Sequence, residues 1–185
     1  MFLSRFDPEL TDGQGPFWLK NLYFVYLLEL RALSKAALYL ENESFFTGNQ
    51  AEDEETQAAV KDFLNVVRSF PEHYDESELF ASGDTSEQLK FEFREHFRNV
   101  SKVMDCVSCD KCKLWGKLQT NGLGTALKIL FAESESKNHK VGCNLTLNLK
   151  RNEIVSLFNA FGRISTSIQQ LESFRKMLRD EEHLK

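Results

Sequence analysis

An all-α fold, a single helical domain over residues 1–185, is what this sequence predicts, and three observations carry the prediction. Apolar residues recur at three- and four-residue intervals through long stretches, and proline, glycine and asparagine fall between those stretches. The chain is 42% hydrophobic with only three prolines, enough apolar material for one real core. A short alternating run, "CNLTLNL", is the only β-like tract, and there is no internal repeat.

The first helix is expected over 17–40, "FWLKNLYFVYLLELRALSKAALYL", opened by Pro16 and so evenly apolar that it reads as long and mostly buried. "ENESFFTGNQAEDEET" breaks that pattern, and its acidic end suits the start of a second helix over 51–70, where negative charge meets the helix dipole. Pro71 stops that helix, and a loop through "SFPEHYDESELFASGDTS" follows. A third helix over 87–104 places Leu89, Phe93, Phe97 and Val100 on one stripe and delivers the chain to a cluster of cysteines. Beyond them come "LWGKLQTNGLGTALKILFAE", a weakly patterned segment around Cys143, and a final pair of helices with a break expected near Gly162.

Charge excludes one class of partner. With 23 basic against 28 acidic residues, and no basic stripe interleaved with aromatics, the chain lacks a nucleic-acid groove. No apolar run reaches the roughly 18 to 20 residues of a membrane span. The start "MFLSRFDPEL" lacks the features of a secretory signal, so composition by itself describes a soluble chain without an address.

The chemistry is concentrated in "CVSCDKC", residues 106–112, which holds three of the four cysteines. Structural zinc needs four ligands; this run offers three, with Cys143 or His139 as the fourth. A ferredoxin-type cluster needs a cysteine four positions after Cys112, where Gly116 stands. A buried core stripe fits poorly beside Asp105, Asp110 and Lys111. On a helix, Cys109 and Cys112 share a face on which a disulfide can close, and a thiol in a helix's first turn has a lowered pKa. Spacing leaves zinc and redox chemistry both open.

The segment "MDCVSCDKCKLWGKLQTNGLGTALKILF" closely resembles the signature of the endoplasmic reticulum oxidoreductins, as do "LKNLYFVYLLELRALSK", "FFTGN", "FREHFRNVSKVMDC" and "EIVSLFNAFGRISTS". The likeness runs nearly end to end but covers only the C-terminal part of that family, which implies that residues 1–185 are a piece of a longer protein. It implies an FAD-dependent thiol oxidase that reoxidises protein disulfide isomerase, passes the electrons to oxygen and forms hydrogen peroxide. It further implies a place in the lumen of the endoplasmic reticulum, peripherally associated with its membrane, and membership of the family's flavin-binding helical core.

By the same resemblance Cys109 and Cys112 form the inner disulfide beside the flavin, with Cys112 facing it, and Cys106 takes a structural disulfide to a cysteine upstream. Arg5, in "RFD", matches an arginine that contacts FAD; Trp18 stands where a second such arginine is expected, with Lys20 nearby. Asn42, Asn99 and Asn144 each open an Asn-x-Ser/Thr motif, and Asn99 is the expected glycosylation site because the family often has a motif there. His73, His96, His139 and His183 have no ligand or triad spacing with one another. The rival readings are a catalytically inactive helical piece that binds partners, and a helical zinc module.

Overall fold

A computed structural model of the chain describes residues 2–44, 47–69, 85–132 and 147–182. The elements are α1 (Leu3–Phe6), α2 (Gly15–Lys35), α3 (Ala37–Glu41), α4 (Gln50–Arg68), α5 (Thr85–Asp105), α6 (Asp110–Leu130) and α7 (Arg151–Glu182). Among the described residues there is no strand, as the apolar periodicity predicts. Pro71, the loop that follows it, most of the weakly patterned segment around Cys143 and most of the alternating run lie outside the described residues.

Local chemistry starts the helices. A turn at Asp12 and Gly13, both at positive φ, leads into α2, where Pro16 occupies the first turn. Thr11 supplies the missing cap: its Oγ1 donates to the Asp7 carbonyl at 2.5 Å and accepts from the Gly15 N–H at 2.7 Å. Gly15 has no alternative, because a Cβ there would overlap the Phe6 carbonyl. At α4, Asn49 accepts from Ala51 N at 3.1 Å, with Glu52 and Asp53 in the first turn, matching the acidic start expected from sequence.

The core sits at one end of the bundle. Leu28, Leu30, Leu33 and Leu40 meet Leu64 and Val67 of α4, Ala126, Leu127, Ile129 and Leu130 of α6, and Ile154, Leu157 and Phe161 of α7. The expectation of a mostly buried first helix is corrected here. Only the second half of α2 is enclosed, while Phe17, Trp18, Phe24 and Leu27 are exposed, Phe17 by 59%. Burial needs a facing element, and the apolar pattern of α2 does not reveal where its neighbours end. The same helix also stops sooner than expected, at Ala36, where Lys35 Nζ donates to the carbonyls of Leu130 and Ala132 at 2.7 and 3.0 Å and satisfies the end of α6.

The expected break at Gly162 is likewise corrected: α7 runs unbroken from Arg151 to Glu182. A lone glycine removes a side chain but keeps its N–H and C=O, so it weakens a helix by about 1 kcal/mol without ending it. The helical ladder continues past it, with Thr166 Oγ1 donating to the Gly162 carbonyl at 2.7 Å.

Glu29 is the anomaly of the core. It is fully buried, neither carboxylate oxygen has a hydrogen-bond partner, and burial pushes its pKa up to about 7.

Candidate functional site

α5 ends at Asp105, the chain turns through Cys106, Val107 and Ser108, and α6 begins at Asp110. Cys109 is the N-cap of α6, with extended backbone, and its Sγ accepts from Cys112 N at 3.2 Å. This is the job that Ser or Asp does at other helix starts. Cys109 and Cys112 are joined by a disulfide, with their Cα atoms 5.2 Å apart. The pair therefore straddles the helix start rather than lying on one helical face, a correction to the geometry expected from sequence. The i, i+3 spacing still joins the sulfurs, because the N-cap turn folds Cys109 back over the first turn.

That placement governs reactivity. The first N–H groups of α6 have no helical partners and carry the positive end of the helix dipole, so a thiolate formed at either sulfur is stabilised there. Both cysteines are exposed. Cys106 is exposed and free, and its Sγ lies 3.8 Å from the Lys102 carbonyl. An ion pair between Lys117 and Asp105 ties the end of α5 to α6, and it holds the Asp105 carboxyl below its usual range.

α2 and α6 each have 21 residues. Their C-terminal ends are joined through Lys35. Both run antiparallel to α7: Tyr23 bonds to Glu172 and Tyr26 stacks on Phe161, while Gln119 bonds to Asn159 and Lys128 to Glu153. α2 and α6 therefore run parallel to each other. Phe17, Trp18 and Lys20 are exposed in the first turns of α2, and Cys109–Cys112 is exposed at the start of α6. Arg5 is exposed on α1, which packs on the start of α2 and on α7: Gly15 abuts the Phe6 carbonyl, and Phe2 stacks on Phe174 at 5.5 Å. Trp115 is exposed on α6, with the Arg163 guanidinium 5.7 Å from its ring centre. Trp115 and Arg163 have no sequence signal that separates them from ordinary helix residues.

A cavity of about 450 Å³ lies between α5, α6 and α7, lined by Phe97, Arg98, Leu118, Asn121 and Ser156 among others, and no cysteine lines it. Asn99 is exposed near the middle of α5, away from any helix end. His96 lines a smaller apolar groove with Phe93, Phe97 and Val100. The zinc reading loses two ligands to the disulfide, and no group of three His, Cys, Asp or Glu able to hold a metal occurs among the described residues. Cys143, His73, His139, His183 and Asn144 lie outside those residues.

Comparison with known proteins gives the lineage. Residues 2–171 match the family model described as Endoplasmic Reticulum Oxidoreductin 1. The chain belongs to this family. It is 56% identical to human ERO1-like protein alpha over 97% of its own length and 39% of that protein's. It is 54% identical to the Drosophila melanogaster Ero1-like protein, over 96% of the chain and 38% of the relative. A crystal structure of a cysteine-to-alanine double mutant of Ero1p superposes with a TM-score of 0.68 at 38% identity, covering 90% of this chain and 45% of that one. This oxidoreductin chain thus has the family's helical fold and spans well under half the length of the curated relatives it matches.

Proposed function

We propose that the chain carries the inner redox centre of an FAD-dependent thiol oxidase that reoxidises protein disulfide isomerase and passes the electrons to oxygen. The observation that carries this reading is the exposed Cys109–Cys112 disulfide at the start of α6. Family membership supports it, and Ero1p is described as a source of disulfide bonds for oxidative protein folding in the cell.

The exchange needs only the two sulfurs and the helix start. An incoming thiolate attacks Cys109, the outer sulfur, and the Cys109–Cys112 bond breaks to give a mixed disulfide. Cys112 leaves as a thiolate within the positive field of the first turn. A second incoming thiolate then attacks the mixed disulfide and releases Cys109. The client dithiol is oxidised to a disulfide, and Cys109 and Cys112 are left reduced. FAD, when bound, supplies the two-electron acceptor that returns the pair to the disulfide and hands the electrons to oxygen as hydrogen peroxide.

We assign Arg5, Phe17 and Trp18 to the wall of such a site. Arg5 offers an exposed guanidinium for an anionic group, and Phe17 and Trp18 offer exposed aromatic faces for a ring system. Cys106 is assigned a structural disulfide with a cysteine outside this sequence, and Asn99 a glycan. We assign the protein to the lumen of the endoplasmic reticulum, peripherally associated with its membrane. Among the described residues no helix is long and apolar enough to cross a membrane.

The test is Cys112→Ala in the full-length parent. Oxygen consumption with reduced isomerase should vanish while bound flavin remains, and retained turnover would overturn the assignment. A second reading, a partner-binding piece without turnover, is favoured by the exposed Phe17, Phe24 and Leu27. It predicts that the 185-residue chain binds no FAD and produces no peroxide.

A further inference from the structure

The segment between α3 and α4 holds a motif that the redox chemistry leaves unused. Asn42-Glu43-Ser44 has the N-glycan acceptor pattern. Asn42 is the C-cap of α3, the chain beyond it is no longer helical, and both Asn42 and Ser44 are exposed. The motif works by bringing the acceptor amide and the hydroxyl two residues on to the same place, and within a helix residues i and i+2 point apart. Asn99 and Ser101 are both inside α5, so that pair is usable only before α5 forms. Asn42 and Ser44 stay usable in the folded chain.

Three further features suit Asn42 to the modification. Its Nδ2 donates to the Leu38 carbonyl at 2.8 Å. That nitrogen carries two hydrogens and a glycan replaces one, so the bond survives. The Glu43 carboxylate beside the acceptor lies near the Tyr39 hydroxyl. Leu38, one turn before Asn42 on the same face, is a large apolar side chain left 59% exposed.

We propose that Asn42 carries an N-glycan whose first sugars lie over Leu38. This rests on the lumenal assignment above, because the reaction belongs to that compartment. The side-chain nitrogen bonds to the anomeric carbon of a diphosphate-activated oligosaccharide, losing one proton as the diphosphate leaves. The glycan then covers apolar surface that the protein leaves in water.

The full 185-residue chain, expressed behind a cleavable secretory leader in eukaryotic cells, tests the site with its location imposed. Peptide mapping after glycosidase should find residue 42 converted to Asp, with loss of the glycosidase-sensitive gel shift from this site in Asn42→Gln and in Ser44→Ala. Ser44→Thr should keep it, and circular dichroism should show all variants equally helical. Helical wild-type protein with unmodified Asn42, or occupancy that persists in Ser44→Ala, would overturn the proposal. Hydroxyl-radical labelling of Leu38 should rise when the glycan is removed from folded protein; equal labelling would overturn its placement over Leu38. Natural protein found outside the lumen, with Asn42 occupied in the leader-driven chain, would overturn the lumenal assignment and leave the site standing.

Discussion

Gly122→Ala puts a methyl group where α6 and α7 approach closely. The added Cβ would overlap the Ser156 carbonyl oxygen and come within 2.5 Å of the Ala160 Cβ, where carbon atoms pack best at about 3.5 to 4.0 Å. Neither neighbour can swing aside, since one is backbone and the other is a methyl fixed to it, so the helices must part by about 1 Å. Parting them also strains the bonds from Asn121 Nδ2 to Ser156 Oγ at 2.8 Å and from Gln119 Nε2 to Asn159 Oδ1 at 3.0 Å. Overpacking costs about 1–3 kcal/mol, and a rigid contact flanked by hydrogen bonds belongs at the upper end. Alanine returns about 1 kcal/mol of helix propensity. The net loss is about 2 kcal/mol, a fall in Tm of about 4–8 °C for a chain of this size. Gly162→Ala is the control, because its Cβ meets nothing within 4 Å. It should gain about 1 kcal/mol and raise Tm by about 2–4 °C. Thermal unfolding followed by far-ultraviolet circular dichroism measures both. A Gly122→Ala protein as stable as the wild type would refute the close approach of α6 and α7.

Glu29 makes stability depend on pH in a definite direction. Its pKa is raised from 4.5 to about 7 in the fold, so its contribution is fully present below pH 4.5 and is lost as pH rises through about 7, a loss of about 3 kcal/mol. Denaturant titrations should therefore show Glu29→Gln gaining about that much relative to wild type between pH 4.5 and 8, and a constant difference would contradict an orphaned carboxyl. In the air-oxidised 185-residue chain, where its assigned partner is absent, Cys106 should alkylate freely while Cys109 and Cys112 do so only after reduction, as mass spectrometry of labelled peptides would show. Trp18→Arg should tighten FAD binding about tenfold, the worth of one charge-assisted hydrogen bond. Flavin fluorescence titration reads this, and unchanged affinity would remove residue 18 from the cofactor site.

The sequence by itself determined the helical class, the acidic start of α4 and the segment that holds the disulfide pair. Those features are local: apolar spacing follows the helical period, caps act within one turn, and three-residue spacing limits which sulfurs can meet. The family was legible too, because its motifs are contiguous runs of residues. Tertiary structure decided the rest. Cys109 could be known as an N-cap only once α6 had a defined start, and Gly162 as harmless only once α7 was seen to continue through it. Trp115 beside Arg163, and the parallel course of α2 and α6, come from packing between segments far apart in the chain. The apolar stripe of α2 reads alike from Phe17 to Leu33, yet only its second half is buried. Periodicity records which side of a helix avoids water, and burial depends on whether another helix arrives there, which no single helix encodes.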